Sequence, residues 1–276
     1  MVDRDPSDEA YQAALTYETS VVPRYAQHFA DLLLNAVDIP ARPYILDLAC
    51  RTGYVAIQLL NSVRDGRIVA VDEEAAYLDL MRMRAGEEVG RRVFAKQGRA
   101  ESLTFGAEVF SNVVGNLIDR VTTDRGALLS EIARVLRPKG QVALTMPLRG
   151  SFAEVMDIFR EVALKNDLPR VTERVEQYVA SMPTPEMWVT EVESRGFSAA
   201  HVEVREFTLE YPPGVGFLRD PATLVGAVPE WQWCAAAASD PTSLLYQVED
   251  TIATYFHGRT FVTTVVAGCV SARRAG

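Results

Sequence analysis

The chain has 276 residues, 48% of them hydrophobic, which suffices for the core of one large α/β domain with elaborations or of two domains at most. Asp and Glu total 37 against 28 Lys and Arg, and this net charge of -9, with no long basic run, argues against a nucleic-acid partner. The sequence has no signal-like start and no apolar run of about 18 residues, so we expect a cytoplasmic protein without a membrane partner. Scattered cysteines and histidines argue against a disulfide framework or a metal site.

The first 40 residues are predicted to form a helical extension, because apolar residues recur at helical spacing over 10–17 and again over 29–37. From Tyr44 onward, short apolar runs alternate with helical patterns. Strands are expected at 44–49, 66–72, 91–98, 109–117 and 141–147, and helices at 54–63, 74–86 and 124–140. This alternation predicts a parallel sheet with helices on both faces, which places ligands beyond the carboxyl ends of its strands.

The last third of the chain is predicted to contain helices at 151–167 and 184–197 joined by a loop, then strands at 199–211 and 260–273. The segment between these strands is rich in aromatic residues, so we expect a helical insertion that covers the open edge of the sheet as a lid. The predicted domains are the helical extension 1–40, the core 41–211, the lid insertion 212–259 and a final core strand in 260–276.

Six stretches resemble the class I S-adenosylmethionine-dependent methyltransferases, particularly their small-molecule branch: "ILDLACRTG", "IVAVD", "GRAESLTF", "FSNVVGNLIDRV", "LLSEIARVLRPKGQVAL" and "EVESRGFSAAHVEV". The likeness runs from about Tyr44 to Val204 and returns in the last strand. It implies a Rossmann-like fold with a mostly parallel seven-stranded sheet, and S-adenosylmethionine as methyl donor. A nicotinamide-binding Rossmann domain fits less well, because its G-x-G-x-x-G would need glycines at Ala49, Arg51 and Tyr54.

The resemblance implies which residues surround the methionine and ribose parts of the donor. The turn after the first strand approaches the methionine part, and it maps onto Asp47, Ala49, Arg51 and Gly53. An acid at the end of the second strand holds the ribose hydroxyls, since a carboxylate accepts two hydrogen bonds at once, and Asp72 matches it. The alternative is that each acid caps the helix that follows it.

The adenine and methyl ends of the donor map onto the next two strands. Arg99 and Ala100 follow the third strand and border adenine, while Asn116 and Leu117 end the fourth strand beside the transferred methyl group. Arg99 departs from the family pattern, because an acid is common there and guanidinium cannot accept the adenine amino hydrogen.

Arg51 is the larger departure, because it stands in the turn where the smallest residue is expected. A non-glycine residue with positive φ costs about 1 to 2 kcal/mol. Its charge would attract the donor's carboxylate but repel the sulfonium. Exposure to solvent or a pair with a nearby acid is the ordinary alternative.

Aromatic residues and one histidine are candidates for contact with the acceptor. Tyr17 of the N-terminal extension, Asn116 and His257 are the candidate catalytic residues, and His257 would deprotonate a hydroxyl. The candidate substrate-binding residues are Tyr17, Trp231, Trp233 and Tyr255. Each aromatic has an alternative role in packing, and a lone histidine before a strand is often structural.

The sequence therefore favours transfer of a methyl group from S-adenosylmethionine to a small organic acceptor. The alternative is a catalytically inactive scaffold or binding protein, whose donor pocket is partly filled by Arg51 and Arg99 and whose partner is a protein or an anionic ligand. The sequence leaves the oligomeric state open.

Overall fold

The computed structural model describes residues 6–120, 124–213 and 216–276, and in that part of the chain seven strands form one sheet. The strands are β1 Tyr44–Leu48, β2 Arg67–Asp72, β3 Val93–Gln97, β4 Phe110–Gly115, β5 Leu136–Pro147, β6 Phe197–Tyr211 and β7 Phe261–Arg274. Their order is β3-β2-β1-β4-β5-β7-β6, and the pairs from β3 through β5 are parallel. The predicted Rossmann-like methyltransferase fold, with a mostly parallel sheet of seven strands, is confirmed.

Helices occupy the segments between the strands and both predicted helical additions. They are α1 Pro6–Thr16, α2 Gln27–Ala36, α3 Tyr54–Ser62, α4 Ala75–Ala85, α5 Arg125–Val135, α6 Ala153–Lys165, α7 Pro169–Ser181, α8 Pro185–Glu193, α9 Pro221–Gly226, α10 Val228–Ala235 and α11 Pro241–Tyr255. A π-helical segment, Tyr17–Ala26, links α1 to α2 and contains Pro23, whose missing N–H breaks the regular α-helical bonding. No helix in the described part of the chain is long and apolar enough to cross a membrane.

The strand order brings the carboxyl ends of β1 and β4 together. The chain builds outward from β1 to β3, then returns to place β4 on the other side of β1. Leu48 is therefore paired with Gly115. The turn that follows Leu48 and the residues after Gly115 lie at this reversal of strand order, which is where open α/β sheets bind their ligands.

Two sequence expectations about the elements were wrong. The segment between α6 and α8 was expected to be a loop, but it contains the helix α7, which buries Val171, Val175 and Tyr178 at intervals of four and three. Its exposed face is rich in charge, and this hid the apolar stripe. The helix expected at 124–140 ends at Val135, because Pro138 lies in β5, which starts earlier than the predicted strand.

The described chain forms two compact units. The first contains Met1–Met146, Pro185–Arg205 and Gly268–Gly276, and the second contains Pro147–Thr184 and Glu206–Ala267. The second unit includes the helices α9 to α11 of the predicted insertion. The domain boundaries expected at 40, 211 and 259, and the role of the insertion as a lid, stay predictions.

Gly53 begins the turn into α3 with φ of +77°, and a Cβ atom there would lie 2.1 Å from Met81 Cγ. We expect Gly53→Ala to lower the free energy of unfolding by about 2 kcal/mol or more, through backbone strain and overpacking together. Gly90 is a matched control, because its φ is +78° and a Cβ atom there would have no neighbour within 4 Å. Urea unfolding should show a clearly smaller loss for Gly90→Ala; equal losses would contradict the steric role of Met81.

Candidate functional site

The turn after β1 has an unusual backbone. Ala49 and Arg51 have φ of 51° and 50°, and Gly53 has φ of 77°, so three alternate residues are left-handed and two of them are not glycine. Each non-glycine residue costs about 1 kcal/mol or more in this region. Surrounding contacts must therefore hold the turn in place.

Asp72 supplies those contacts from the end of β2. Its Oδ2 accepts a hydrogen bond from the Arg51 backbone N–H at 2.9 Å, and its Oδ1 accepts one from the Glu74 N–H at 3.0 Å. The Cys50 N–H donates to the Val71 carbonyl at 3.0 Å. Asp72 is only 4% exposed. A buried carboxylate thus ties the turn after β1 to the end of β2, and each oxygen keeps a lone pair for another donor.

An outer cavity of about 170 Å³ opens beside this carboxylate. Its lining residues are Ala49, Arg51, Asp72, Glu73, Glu74, Gly98 and Ala100. The structure therefore brings together four residues that the sequence predicted to bind the cofactor. Glu73, Glu74 and Gly98 were missed, although their positions directly after β2 and β3, at the carboxyl edge of the sheet, were the available signal.

A second space, the closed hollow, lies under the same turn and has a volume of only about 10 Å³. It is lined by Tyr17, Val22, Ala26, Asp47, Ala49, Cys50, Arg51, Thr52, Tyr54, Val55 and Asn116. Ala49 and Arg51 line both spaces. The hollow is at the lower limit for holding one water molecule.

Asp47 is a buried carboxylate at the hollow and is only 1% exposed. Neither of its oxygens has a hydrogen-bond partner of normal geometry among the described residues, so the alternative role of Asp47 as a helix cap rests only on the nearby Ala56 backbone amide in the first turn of α3. Burial raises the pKa of Asp47 to about 8; the nearby Ala56 backbone amide lowers it, and the charge of Asp72 raises it further. The Thr52 hydroxyl is also buried without a partner in the described structure. Two polar groups thus face the hollow unsatisfied, which is costly unless a ligand satisfies them.

Arg51 lies beside two aromatic rings, which we call the tyrosine pair. Its guanidinium carbon is 5.3 Å from the centroid of the Tyr77 ring, and the rings of Tyr77 and Tyr17 are 5.5 Å apart in an edge-to-face arrangement. Burial raises the pKa of Tyr17 far above its usual value, and the Arg51 charge lowers it only in part. The tyrosine pair therefore holds the cation as neutral rings.

Asn116 is held from two sides. Its Nδ2 donates to the Ala26 carbonyl at 3.0 Å, and its Oδ1 accepts from the Thr145 hydroxyl at 2.7 Å. The neighbouring Leu117 N–H donates to the same hydroxyl oxygen at 2.9 Å. Asn116 therefore fixes the π-helical segment to the end of β4, and its part in methyl transfer stays a prediction.

Arg99 does not line either space. Its side chain is 66% exposed and lies 3.9 Å from Glu73 and 3.7 Å from Glu101. The expectation that Arg99 partly fills the donor pocket is therefore not met in this structure, because weak ion pairs with two acids hold the guanidinium in solvent. Its contact with adenine stays a prediction.

The candidate acceptor residues other than Tyr17 belong to the second unit. Trp231 is fully buried and packs on Phe152 and Phe217, so contact with a ligand would require repacking. Trp233 is 45% exposed and Tyr255 is 48% exposed, with the Tyr255 hydroxyl donating to Glu161. His257 is exposed as well. No contact tests their roles, which stay predictions.

Cys50 is not suited to nucleophilic chemistry. The thiol is buried beside the closed hollow, and burial raises its pKa well above the usual value, with the charges of Asp47 and Asp72 acting in the same direction. A thiolate is the reactive form, so this cysteine is a packing residue of the turn.

A family model described as a methyltransferase domain matches residues 45–140, which span β1 to β4 from Ile45 onward and the lining residues of the outer cavity. Over these residues, about a third of the chain, the sequence is similar to a methyltransferase domain. The match, with the seven-stranded sheet, confirms the resemblance seen in the sequence.

Individual relatives of this chain are distant. The Escherichia coli protein YafE is 27% identical over 169 residues, which cover 61% of this chain and 77% of YafE. The demethylmenaquinone methyltransferase of Lactobacillus johnsonii is 32% identical over 108 residues, 38% of this chain and 44% of that enzyme. The chain thus spans less than half of this second relative.

A solved structure shows the same fold over almost the whole chain. The phosphoethanolamine N-methyltransferase 2 of Haemonchus contortus, in complex with S-adenosyl-L-methionine, aligns with 98% of this chain and 57% of its own, with a TM-score of 0.58 and 15% identity. At this identity the likeness concerns the fold alone.

The raised pKa of the buried Asp47 carboxyl group leads to a prediction about stability. Its pKa is about 8 in the folded state and near 3.8 in the unfolded chain, so the folded state holds a proton that the unfolded state loses. Stability should therefore fall as pH rises from about 4 to 8. We expect Asp47→Asn to reduce this slope and to be more stable than the wild type at pH 8 by about 1 kcal/mol or more, since one pKa unit equals about 1.4 kcal/mol.

Urea unfolding at pH 5, 6.5 and 8 measures this effect. Glu73→Gln is the matched control, because Glu73 also borders the outer cavity but its side chain is 45% exposed, so its neutralisation should change the pH slope little. An unchanged slope in Asp47→Asn would show that Asp47 is ionised in the folded protein.

Proposed function

We propose that the chain binds S-adenosylmethionine across the outer cavity and the closed hollow and transfers its methyl group to a small organic acceptor. The observation that carries this proposal is the unsatisfied pair of buried polar groups, Asp47 and Thr52, directly beneath a cavity with a carboxylate wall. A ligand with a sugar at one end and a charged amino-acid group at the other matches both spaces.

The outer cavity suits the adenosyl part of the donor. Asp72 is fixed by two backbone amides, and its free lone pairs would accept hydrogen bonds from the ribose hydroxyls. Gly98 and Ala100 follow β3 and leave room for a flat base, because neither has a large side chain. Asp72, Gly98 and Ala100 would therefore contact the adenosyl part without moving.

The closed hollow suits the amino-acid part of the donor but must open to admit it. A carboxylate at Asp47 would accept a hydrogen bond from the donor's ammonium group, and this satisfies the oxygens that now have no partner. Ligand pockets usually measure about 300 to 1,000 Å³, well above the 170 and 10 Å³ present here. Donor binding should thus be coupled to movement of side chains such as Arg51 and Tyr17.

Methyl transfer places few chemical demands on the protein. When bound, the donor would supply a methyl group on a positively charged sulfur: a lone pair of the acceptor would form a bond to the methyl carbon while the carbon–sulfur bond breaks, and S-adenosylhomocysteine would leave with that electron pair. The chain's part is to align the acceptor with this group and to exclude water. Asn116, held rigidly by Ala26 and Thr145 at the edge of the hollow, would define one wall of that site, and Tyr17 another.

The second candidate function is the inactive binding protein. The filled hollow favours it, because Arg51 and the tyrosine pair occupy the place where the methionine part would enter. Binding measurements separate the two, since a permanently blocked hollow excludes the complete donor.

Isothermal titration calorimetry with S-adenosylmethionine and S-adenosylhomocysteine tests the proposal. We expect the wild type to bind both, and Asp72→Asn to bind each about 10-fold or more weakly, because loss of a charged hydrogen bond costs about 1.5 to 3 kcal/mol. Glu74→Gln is the control at the same cavity. Absence of binding by the wild type would favour the inactive protein, and thermal melts of each variant show whether the turn remains folded.

Donor affinity should also depend on pH. Because the pKa of Asp47 is about 8, its carboxylate is mostly protonated near neutral pH, and binding of an ammonium group requires the proton to leave. We expect affinity for S-adenosylhomocysteine to rise between about pH 6 and 7.5, where the donor's amino group is still charged. Titrations in buffers of different ionisation enthalpy should show proton release, which Asp47→Asn should abolish; pH-independent affinity in the wild type would contradict this role.

A further inference from the structure

We propose that Arg51 is a specificity-determining residue of the donor site: its guanidinium leaves the tyrosine pair to bind the carboxylate of the donor's amino-acid part. Adenosyl ligands without that carboxylate would leave Arg51 in place and the hollow closed. This inference rests on the proposed function and adds to it the chemical group that opens the site.

Arg51 lies where its side chain can control the passage of a ligand from the outer cavity into the closed hollow. Among the described residues, only Ala49 and Arg51 line both the outer cavity and the closed hollow. Ala49 has a single methyl group, so Arg51 is the one long side chain shared by the two spaces. Any ligand that extends from one space into the other must pass beside it.

The guanidinium of Arg51 packs on the Tyr77 ring and is within electrostatic reach of Asp72, with which its side chain makes no ion pair. In the described part of the chain no carboxylate oxygen makes an ion pair with it within 4.0 Å, and its close neighbours are the tyrosine pair. The carboxylate of Asp72 accepts from the Arg51 backbone N–H. A partly buried guanidinium without a carboxylate in ion-pair contact is an incomplete arrangement, because its five N–H groups favour bidentate binding of a carboxylate.

A carboxylate ligand therefore binds more strongly when the Arg51 side chain has left the tyrosine pair than when it remains there. Contact with a tyrosine ring is worth about 0.5 to 2 kcal/mol, whereas charge-assisted bidentate bonds to a carboxylate are among the strongest that a guanidinium makes. A ligand shifts a conformational equilibrium only by such a difference. The donor's carboxylate supplies it, and an uncharged or purely cationic ligand does not.

The backbone allows this movement. Arg51 has φ of 50°, and its N–H is fixed to Asp72, so the main chain stays in place while the long side chain rotates. A left-handed arginine is strained where glycine would be relaxed, and such strain is found where a side chain has a function at that position.

Asp47, once its proton has left, and Arg51 would present opposite charges to the same hollow. The ammonium and carboxylate groups of an amino acid carry the complementary charges, so one ligand would satisfy both residues at once. Pairing with the carboxylate would also neutralise the guanidinium, which otherwise repels the positively charged sulfur of the donor.

A cycle of two ligands and several variants tests the inference by calorimetry. The ligands are S-adenosylmethionine and its decarboxylated form, which keeps the amine and the sulfonium and lacks only the carboxylate. The proteins are the wild type, Arg51→Ala, Arg51→Lys, Arg51→Gly and the control Arg82→Ala, which removes an arginine of α4 that is 41% exposed, pairs with Asp79 and lines neither space. Thermal melts of each protein establish that it is folded.

We expect the wild type and Arg82→Ala to prefer the complete donor by about 30-fold or more, and Arg51→Ala to reduce this preference to about 3-fold, in line with the loss of a charged hydrogen-bonded pair. The preference of Arg51→Lys should lie between these two values, because lysine keeps the positive charge but lacks the paired N–H donors that bind a carboxylate bidentately. Arg51→Ala should also bind the decarboxylated donor at least as tightly as the wild type does.

Other outcomes overturn the inference in distinguishable ways. If the wild type and Arg51→Ala prefer the complete donor equally, Arg51 does not recognise the carboxylate. If Arg51→Ala gains the same affinity for both ligands, the Arg51 side chain only blocks the hollow sterically. If Arg51→Ala does not fold, an unchanged preference in Arg51→Lys and Arg51→Gly overturns the inference equally. Absence of binding by every protein overturns the proposed function itself.

Discussion

The carboxylate of Asp72 is the constraint on which the site depends. By accepting the N–H groups of Arg51 and Glu74, it holds the strained turn after β1 against the end of β2. These two strands are neighbours in a parallel sheet, so their carboxyl ends are already side by side. The two hydrogen bonds of Asp72 fix these strand ends relative to each other. The outer cavity lies on the side of Asp72 that the turn leaves uncovered.

The site concentrates features that a stable core would avoid. Within the described structure, Asp47 is a buried acid without a hydrogen-bond partner, Arg51 is a cation in a left-handed backbone, and the Thr52 hydroxyl is unsatisfied. The buried Thr145 hydroxyl, by contrast, is satisfied by Asn116 and by the Leu117 N–H. A buried acid, a strained cation and an unsatisfied hydroxyl within six residues of one turn form a pattern expected where a ligand completes the structure.

The sequence predicted the elements well where the apolar periodicity was clear, and it failed where charged residues obscured that periodicity. The apolar strands β1, β2 and β4 were recognised because both faces of a parallel sheet are covered, which makes nearly every residue apolar. Helix α7 was missed because only one in three or four of its residues is buried and charges fill the rest. Glu73 and Glu74 were missed as cavity residues because a glutamate that lines a cavity has the same residue type as one on the solvated surface.

The sequence by itself determined the fold class and the order of the strands, and it predicted the place of the ligand site, because these follow from apolar periodicity and from the geometry of parallel sheets. It also singled out Arg51 as the residue that departs from the family's turn. Only the tertiary structure decided where the two arginines lie: Arg51 beside the tyrosine pair at the hollow, and Arg99 in solvent with Glu73 and Glu101. The reason is that Tyr17 and Tyr77 are 60 positions apart, and their contact arises only when the N-terminal helices pack on α4.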